Sequence, residues 1–351
     1  MSDPSQGRTP ATRMGLFLGL ALSAILATVV LWYGGHGLLV AFSAILLATV
    51  LDGLTGFICR HTRLHRGLAL TLSILVIAGA LGALFWSSGV RAANQAPALR
   101  NSLEQAMGQL EALLRRWGVS PEVLNHATAG GGLIQSAVTG LLTSQTSITQ
   151  TMHVTTDLIV IVVAGIYFAV TPEVYSETVI KLFPHARRER LREVRSVLAN
   201  AVRRWMAGRL VAMFAVGAMV TVGLLLLHVR LALLLGFIAG VFTFLPYLGT
   251  IISLMPAALI GLLNGPPTAL YVILLFFGAH LMEGYVLTPL IQRETVHLPP
   301  SWLIIAQMFG LLLAGIFGMA MATPLVVVIT IAVQMLYVQD VLGDEVRLLG
   351  R

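Results

Sequence analysis

The sequence predicts an all-α polytopic transmembrane helical bundle, and three observations carry that prediction. Of 351 residues 57% are hydrophobic and only 11% charged, where a soluble domain carries roughly a quarter charged residues. The apolar residues fall in long runs, and Arg, Gly, Pro or polar clusters bound each run. At roughly 20 residues per crossing the apolar share accommodates about eight spans. One cysteine, Cys59, excludes an internal disulfide, an iron–sulfur cluster and a cysteine-rich zinc site. All basic residues but Lys181 are arginines, and they are spread among loops. They report topology, and no nucleic-acid partner is expected.

The eight segments run at about 15–33, 37–59, 67–90, 154–171, 210–228, 231–263, 267–291 and 302–338. The first has about 19 apolar residues, longer than the roughly 7–15 of a signal-peptide core, so it is expected to be a retained span. Residues 1–90 then form three N-terminal spans, with a turn at Tyr33–Gly37. Orientation follows the arginines. Arg8 and Arg13, the loop with Arg60, Arg63 and Arg66, and the nine basic residues of 173–209 share one side if the N-terminus is cytoplasmic. The tail 339–351 falls on that side too.

Two regions interrupt the spans. Residues 91–153 are expected as short helices outside, with Leu99, Leu103, Leu110, Leu113 and Trp117 at helical spacing. Gly118 stops the first, Ser120 and Pro121 restart a helix, and Gly130–Gly132 make a hinge. Residues 185–206 are expected to form a basic amphipathic helix within the cytoplasmic stretch 173–209. Leu191, Val194, Leu198, Val202 and Trp205 lie on one face, and most of its charges lie on the other. Such a helix suits the headgroup plane, and packing on a neighbouring subunit is the alternative.

Residues 210–338 make a C-terminal unit with two segments too long for one plain span, 231–263 and 302–338. The first is broken by Phe244-Leu245-Pro246-Tyr247-Leu248-Gly249, with Pro256 beyond. The second is punctuated by Gly310, Gly315, Gly318 and Pro324. Breaks free backbone groups, which a bilayer tolerates only inside protein or beside water. Paired interrupted segments therefore point to a transport site, against the plainer alternative of kinked helices. Each segment is either a re-entrant hairpin or a double crossing.

A charge at depth costs at least ~2.5–3.5 kcal/mol, so each one asks for a role. Glu283 lies inside the seventh segment, one turn from His280, with Tyr285 and Gln292 nearby and Pro289 ending the helix. His280 and Glu283 share a face, for proton or cation coupling, a structural hydrogen bond or substrate contact. The pair is too few ligands for a metal. Asp52, a candidate for the transport pathway like Asp157, is expected near the inner interface beside Arg60, where a structural role is the favoured alternative. Asp157 stands at the outer mouth of the fourth span, where N-capping explains it almost as well. Gln307, Thr323 and Gln334 either line a path or bridge helices. The sequence has no Walker motif, GxSxG elbow, HExxH or enzyme-like carboxylate pair. No enzyme activity, cofactor or metal is expected.

The stretch from Phe244 to Gly249, the run His280-Leu281-Met282-Glu283-Gly284-Tyr285-Val286-Leu287-Thr288-Pro289, then Val296-His297-Leu298-Pro299, Gly315-Ile316-Phe317-Gly318 and Pro324 resemble the signature of the AI-2E family, the bacterial autoinducer-2 exporters. Thr250 and His280 depart from residues frequent there, whereas Glu283, Pro289 and Pro324 match. The resemblance implies a secondary transporter of the bacterial inner membrane, assembled as a ring-like homo-oligomer, with a pentamer the form expected, in the lipid bilayer. It leaves three readings open: an exporter of a small polar solute such as an autoinducer-2-like signal, a sodium or lithium/proton antiporter, and a non-transporting membrane scaffold.

Overall fold

A computed structural model of the chain describes residues 10–84, 90–116, 148–287 and 299–344. Ten α-helices are described: α1 (Pro10–Thr62), α2 (Arg66–Leu84), α3 (Val90–Arg116), α4 (Ile148–Val170), α5 (Pro172–Lys181), α6 (His185–Leu226), α7 (Ala232–Phe242), α8 (Leu248–Leu262), α9 (Pro266–Met282) and α10 (Pro300–Val333). No strand occurs among the described residues. α9 and α10 continue as π-helical stretches, Glu283–Leu287 and Gln334–Leu342. Proline opens α5, α9 and α10, where its missing N–H costs nothing and its fixed φ favours the helix.

α1 runs without interruption through Tyr33–Gly37, where the sequence predicts a turn. The three glycines there lower helix propensity but, unlike proline, keep every backbone donor. α1 and α2 pair as a hairpin, closed by a hydrogen bond of 3.1 Å between the hydroxyls of Thr55 and Ser73. α4 lies along α1: a Cβ on Gly165 would stand 2.9 Å from Leu47, and Asp157 reaches His36.

The amphipathic stretch is not a separate helix. α6 carries it into the apolar run without a break, since no proline separates them. Its apolar face, with Val194, Val197, Ala201 and Trp205, packs on Val327, Ile331 and Met335 of the C-terminal helix. Protein covers much of the face expected to lie on lipid. The start of the expected insert is helical, as α3. Leu99 and Leu103 of α3 are buried with Leu235, Ile260, Val272 and Phe276. The expected helix around Ser120 and Pro121 and the Gly130–Gly132 hinge fall outside the described residues.

Both overlong segments fold back on themselves. In the first, Asn264 Nδ2 donates to the carbonyl of His228 at 3.1 Å, so α7 leaves and α8 returns at the same end. Their turn lies at the other end, where a Cβ on Gly249 would stand 1.7 Å from the Phe242 carbonyl oxygen. α7 has 11 residues, about 16 Å of helix, too short to cross a hydrocarbon core of about 30 Å. In the second, helical backbone fails at Ala314 (φ −145°, ψ 27°) and Gly315 (φ 62°, ψ −150°). Gln307 donates to Thr323 at 3.2 Å, although a straight helix would separate residues 16 apart by about 24 Å. Gly310 and Gly318 touch backbone to backbone: a Cβ on Gly318 would meet the Gly310 carbonyl oxygen at 2.2 Å. α10 is thus a helical hairpin, with Gly315 in the left-handed region that glycine enters freely. Pro256 and Pro324, expected as breakers, instead sit buried inside helical arms.

Among the described residues four helices are long and apolar enough to cross a membrane, or five if the pair Thr155–Val170 and Pro172–Lys181, bent by 85°, is one span. The eight expected are not confirmed. Helix contacts in a bilayer gain little from the hydrophobic effect and depend on small residues that let backbones approach. α6 and α7 show this. A Cβ on Gly236 would stand 1.8 Å from Thr221 Oγ1, and one on Gly240 would stand 2.9 Å from the Met213 carbonyl oxygen. Gly240→Leu is expected to destabilise the α6–α7 pair by about 1–3 kcal/mol, read as a lower thermal midpoint by tryptophan fluorescence in detergent.

Candidate functional site

The candidate site forms where the turn of the α7–α8 hairpin meets α6 and the end of α9. Arg209 is the last basic residue before the apolar run of α6, and its side chain is only 9% exposed. Its Nη1 donates to Glu283 Oε1 at 2.8 Å, and its Nε donates to the carbonyl of Phe244 in the hairpin turn at 3.3 Å. One turn earlier on α6, Trp205 meets the Phe244 ring edge-on at 5.9 Å. The hairpin tip is therefore held to α6 by one ring contact and one charge-assisted hydrogen bond, which are worth more than neutral ones.

Glu283, 14% exposed, begins the π-helical stretch that ends α9. Such irregular turns re-aim side chains and recur at functional sites. His280 Nδ1 lies 3.7 Å from Glu283 Oε2, too far for a hydrogen bond. That nitrogen is buried and has no hydrogen-bond partner among the described residues. The pair stands about 26 Å along both α6 and α9 from the end that carries the 227–231 and 263–265 connections.

The broken-segment residues have separable parts. Pro246 lies in the turn, and Tyr247 has φ 66° and ψ −58°, a backbone conformation a tyrosine adopts only when the surroundings impose it. Gly249 admits the Phe242 carbonyl, as described. Gly315 makes the second turn, Gly318 packs its arms, and Pro324 is buried in the returning arm. Pro289 and Gln292 lie outside the described residues.

Asp52 and Asp157 are not brought to this site. Asp52 accepts from Arg203 at 2.7 Å and from Arg66 at 3.1 Å. Its partners are these two, not Arg60 as the sequence suggests, because α6 crosses α1 there. Asp52→Asn is expected to cost about 1 kcal/mol, as a partly exposed pair does, and to leave transport unchanged in vesicle flux. Asp157 does not cap a helix, since α4 begins well before it at Ile148. It meets His36 Nε2 at 2.8 Å, and the His36 ring stands 6.0 Å from Phe317, just past the second hairpin turn. Gln307 and Thr323 bridge the two arms of α10. Among the described residues no group of His, Cys, Asp and Glu could hold a metal ion.

Sequence alone does not single out Arg209, His36 or Arg203. One signal exists for the first: an arginine directly bordering a long apolar run must either reach the interface or find a buried partner.

The AI-2E family transporter model matches residues 20–337. Three similar proteins are named provisionally as transport proteins. YueF of Bacillus subtilis (strain 168) is 23% identical over 76% of each chain. YrrI of the same organism is 31% identical over 45% of each, and MT0215 of Mycobacterium tuberculosis is 29% identical over 56% of this chain and 53% of its own. With the family match running from the first helix to the C-terminal π-helical stretch, over a bundle interrupted by two hairpins, the chain belongs to the AI-2E family of transporters.

Proposed function

We propose that this chain is a secondary exporter of a small polar solute, such as an autoinducer-2-like signal, across the bacterial inner membrane. It works by alternating access as a ring-like homo-oligomer, with both termini cytoplasmic. The observation that carries the mechanism is the buried Arg209–Glu283 pair at the tip of a helical hairpin too short to span. Two opposite charges that also hold a backbone carbonyl form a latch. A solute with its own hydrogen-bonding groups competes for Arg209 and Glu283, releases the Phe244 carbonyl and frees the hairpin to move against α6 and α9. Ligand sites at discontinuous helices of transporters use the same freed backbone groups. Counterflow of candidate solutes in proteoliposomes is the test. Glu283→Gln is expected to lower exchange at least tenfold, and unchanged exchange would remove the latch from the mechanism.

A second reading, sodium or lithium/proton antiport, is favoured by His280 standing 3.7 Å from the Glu283 carboxylate. In this reading the imidazole and the carboxylate together carry the proton that is exchanged for a cation. Added sodium would then drive proton flux in dye-loaded vesicles without any organic solute, and His280→Gln would abolish it.

A further inference from the structure

A cavity of about 420 Å³ lies between α1, α5, α6 and α10, away from the Arg209–Glu283 site. That volume is within the ~300–1,000 Å³ typical of ligand pockets. Its walls are the sides of four helices, with Phe42 and Ile45 from α1, Val179 from α5, Leu191 and Leu198 from α6 and Val328 from α10. Two of its polar side chains are already committed. Thr49 donates to the Ile45 carbonyl and Ser176 to the Pro172 carbonyl, each at 2.8 Å. A polar solute would find almost no partner inside, so the interior suits hydrocarbon.

The rim has a different character. Arg195 lines the cavity and donates to the Ser176 hydroxyl. Arg188 caps the carbonyls of Lys181 and Phe183. Neither arginine has a carboxylate within ion-pair distance among the described residues, nor does Lys181. Arg192 is paired with Glu177 at 2.9 Å and Glu189 at 3.3 Å, and Glu177, held below the usual carboxylate range chiefly by its hydrogen bond from Arg192, also lies within the field of Arg195 and Lys181. Four cations, Lys181, Arg188, Arg192 and Arg195, thus face two carboxylates on this side, and Arg195 brings the surplus positive charge to the edge of an apolar hole.

The level in the bilayer fits that combination. α5 turns 85° away from α4 and leaves Val174, Leu182 and Phe183 exposed, as an amphipathic helix does where headgroups meet acyl chains. Clustered basic residues at that depth attract anionic lipid headgroups.

We propose that this cavity binds one acyl chain of an anionic phospholipid, with the lipid phosphate held by Arg195 and Lys181. The occupant is a bilayer lipid and not the transported solute. The site stands on its own cavity and charges, whatever the cargo is.

Native mass spectrometry of the full-length protein in detergent, titrated with dioleoyl phosphatidylglycerol or dioleoyl phosphatidylcholine, tests this. About tenfold preferential retention of phosphatidylglycerol is expected. Arg195→Gln is expected to remove the preference and Arg195→Lys to keep it, whereas Arg100→Gln on distant α3 changes nothing. Ala199→Phe, which fills the cavity from its wall, is expected to lose both lipids with the thermal midpoint unchanged. Equal retention of the two lipids by the native protein would overturn the proposal. Undiminished phosphatidylglycerol binding in both Arg195→Gln and Ala199→Phe would overturn it as well. Inorganic phosphate that abolishes the preference at millimolar concentration would show a headgroup site without chain insertion, and so would also count against it.

Discussion

Arg209→Met is expected to destabilise the protein by about 3–5 kcal/mol, the cost of leaving a partner charge buried and alone. Glu283 is only 14% exposed and receives its short hydrogen bond from Arg209, so without Arg209 it must draw water into the contact. Glu283→Met leaves the guanidinium with the Phe244 carbonyl alone and is expected to cost a similar amount. The double variant separates structure from function. With both charges gone no buried charge of the pair is left alone, although the Phe244 carbonyl loses its donor, and apolar side chains of similar length are often neutral replacements. Most of the stability should return, measured by the thermal midpoint or by denaturant titration in mixed micelles, with strong non-additivity in the mutant cycle. Solute exchange should not return, since the latch has lost the groups a solute competes for. A stable double variant that still exchanges solute would show the pair to be a structural bolt and nothing more.

Gly249→Ala is expected to be the most damaging single-methyl change among the described glycines. The added carbon would lie 1.7 Å from the Phe242 carbonyl oxygen, which is backbone and cannot rotate away. The turn must open, and with it go the placements of Phe244 on Arg209 and of Trp205 on Phe244. Overpacking costs about 1–3 kcal/mol and occasionally more. This site belongs at the upper end, with loss of transport even where folded protein is recovered. Gly278→Ala, on α9 near the same site, is the matched control. A Cβ there meets nothing within 4 Å, and replacing a helical glycine with alanine is neutral or favourable. If Gly249→Ala behaved like Gly278→Ala in both midpoint and exchange, the hairpin turn would not have the geometry described.

Much of the fold is legible in the amino-acid sequence. The apolar runs, their arginine borders and the excess length of 231–263 and 302–338 are properties of the chain taken locally. They mark the right places for the turns, because Pro246, Gly249 and Gly315 are irregular for local reasons. Sequence does not rank the breakers. Pro256 and Pro324 read as strongly as Pro246, yet each lies in a helical arm, since a proline can be housed where neighbouring groups satisfy the freed carbonyl. Glycines are ambiguous in the same way. Gly315 bends the chain, whereas Gly310 and Gly318 only let two arms touch.

Partners of the buried charges are the larger gap. Spacing pairs Glu283 with His280 because they are one turn apart, but its strongest contact is Arg209, 74 residues away in sequence. Asp157 reads as a cap from its position near a polar cluster, and its partner is His36, 121 residues away. Asp52 takes Arg66 from the nearby loop, and its shorter contact is with Arg203, 151 residues away.

Local chemistry of the chain is enough to establish the solvent of this protein, the rough placement of its helices and the two segments too long to be single spans, because hydrophobicity and backbone geometry act over one or two helical turns. Only the packed bundle makes those segments hairpins and brings Arg209 to Glu283. A buried charge takes whichever opposite charge the packing brings within hydrogen-bond reach, and packing is set by which helices have room to approach, a property no single stretch of chain possesses.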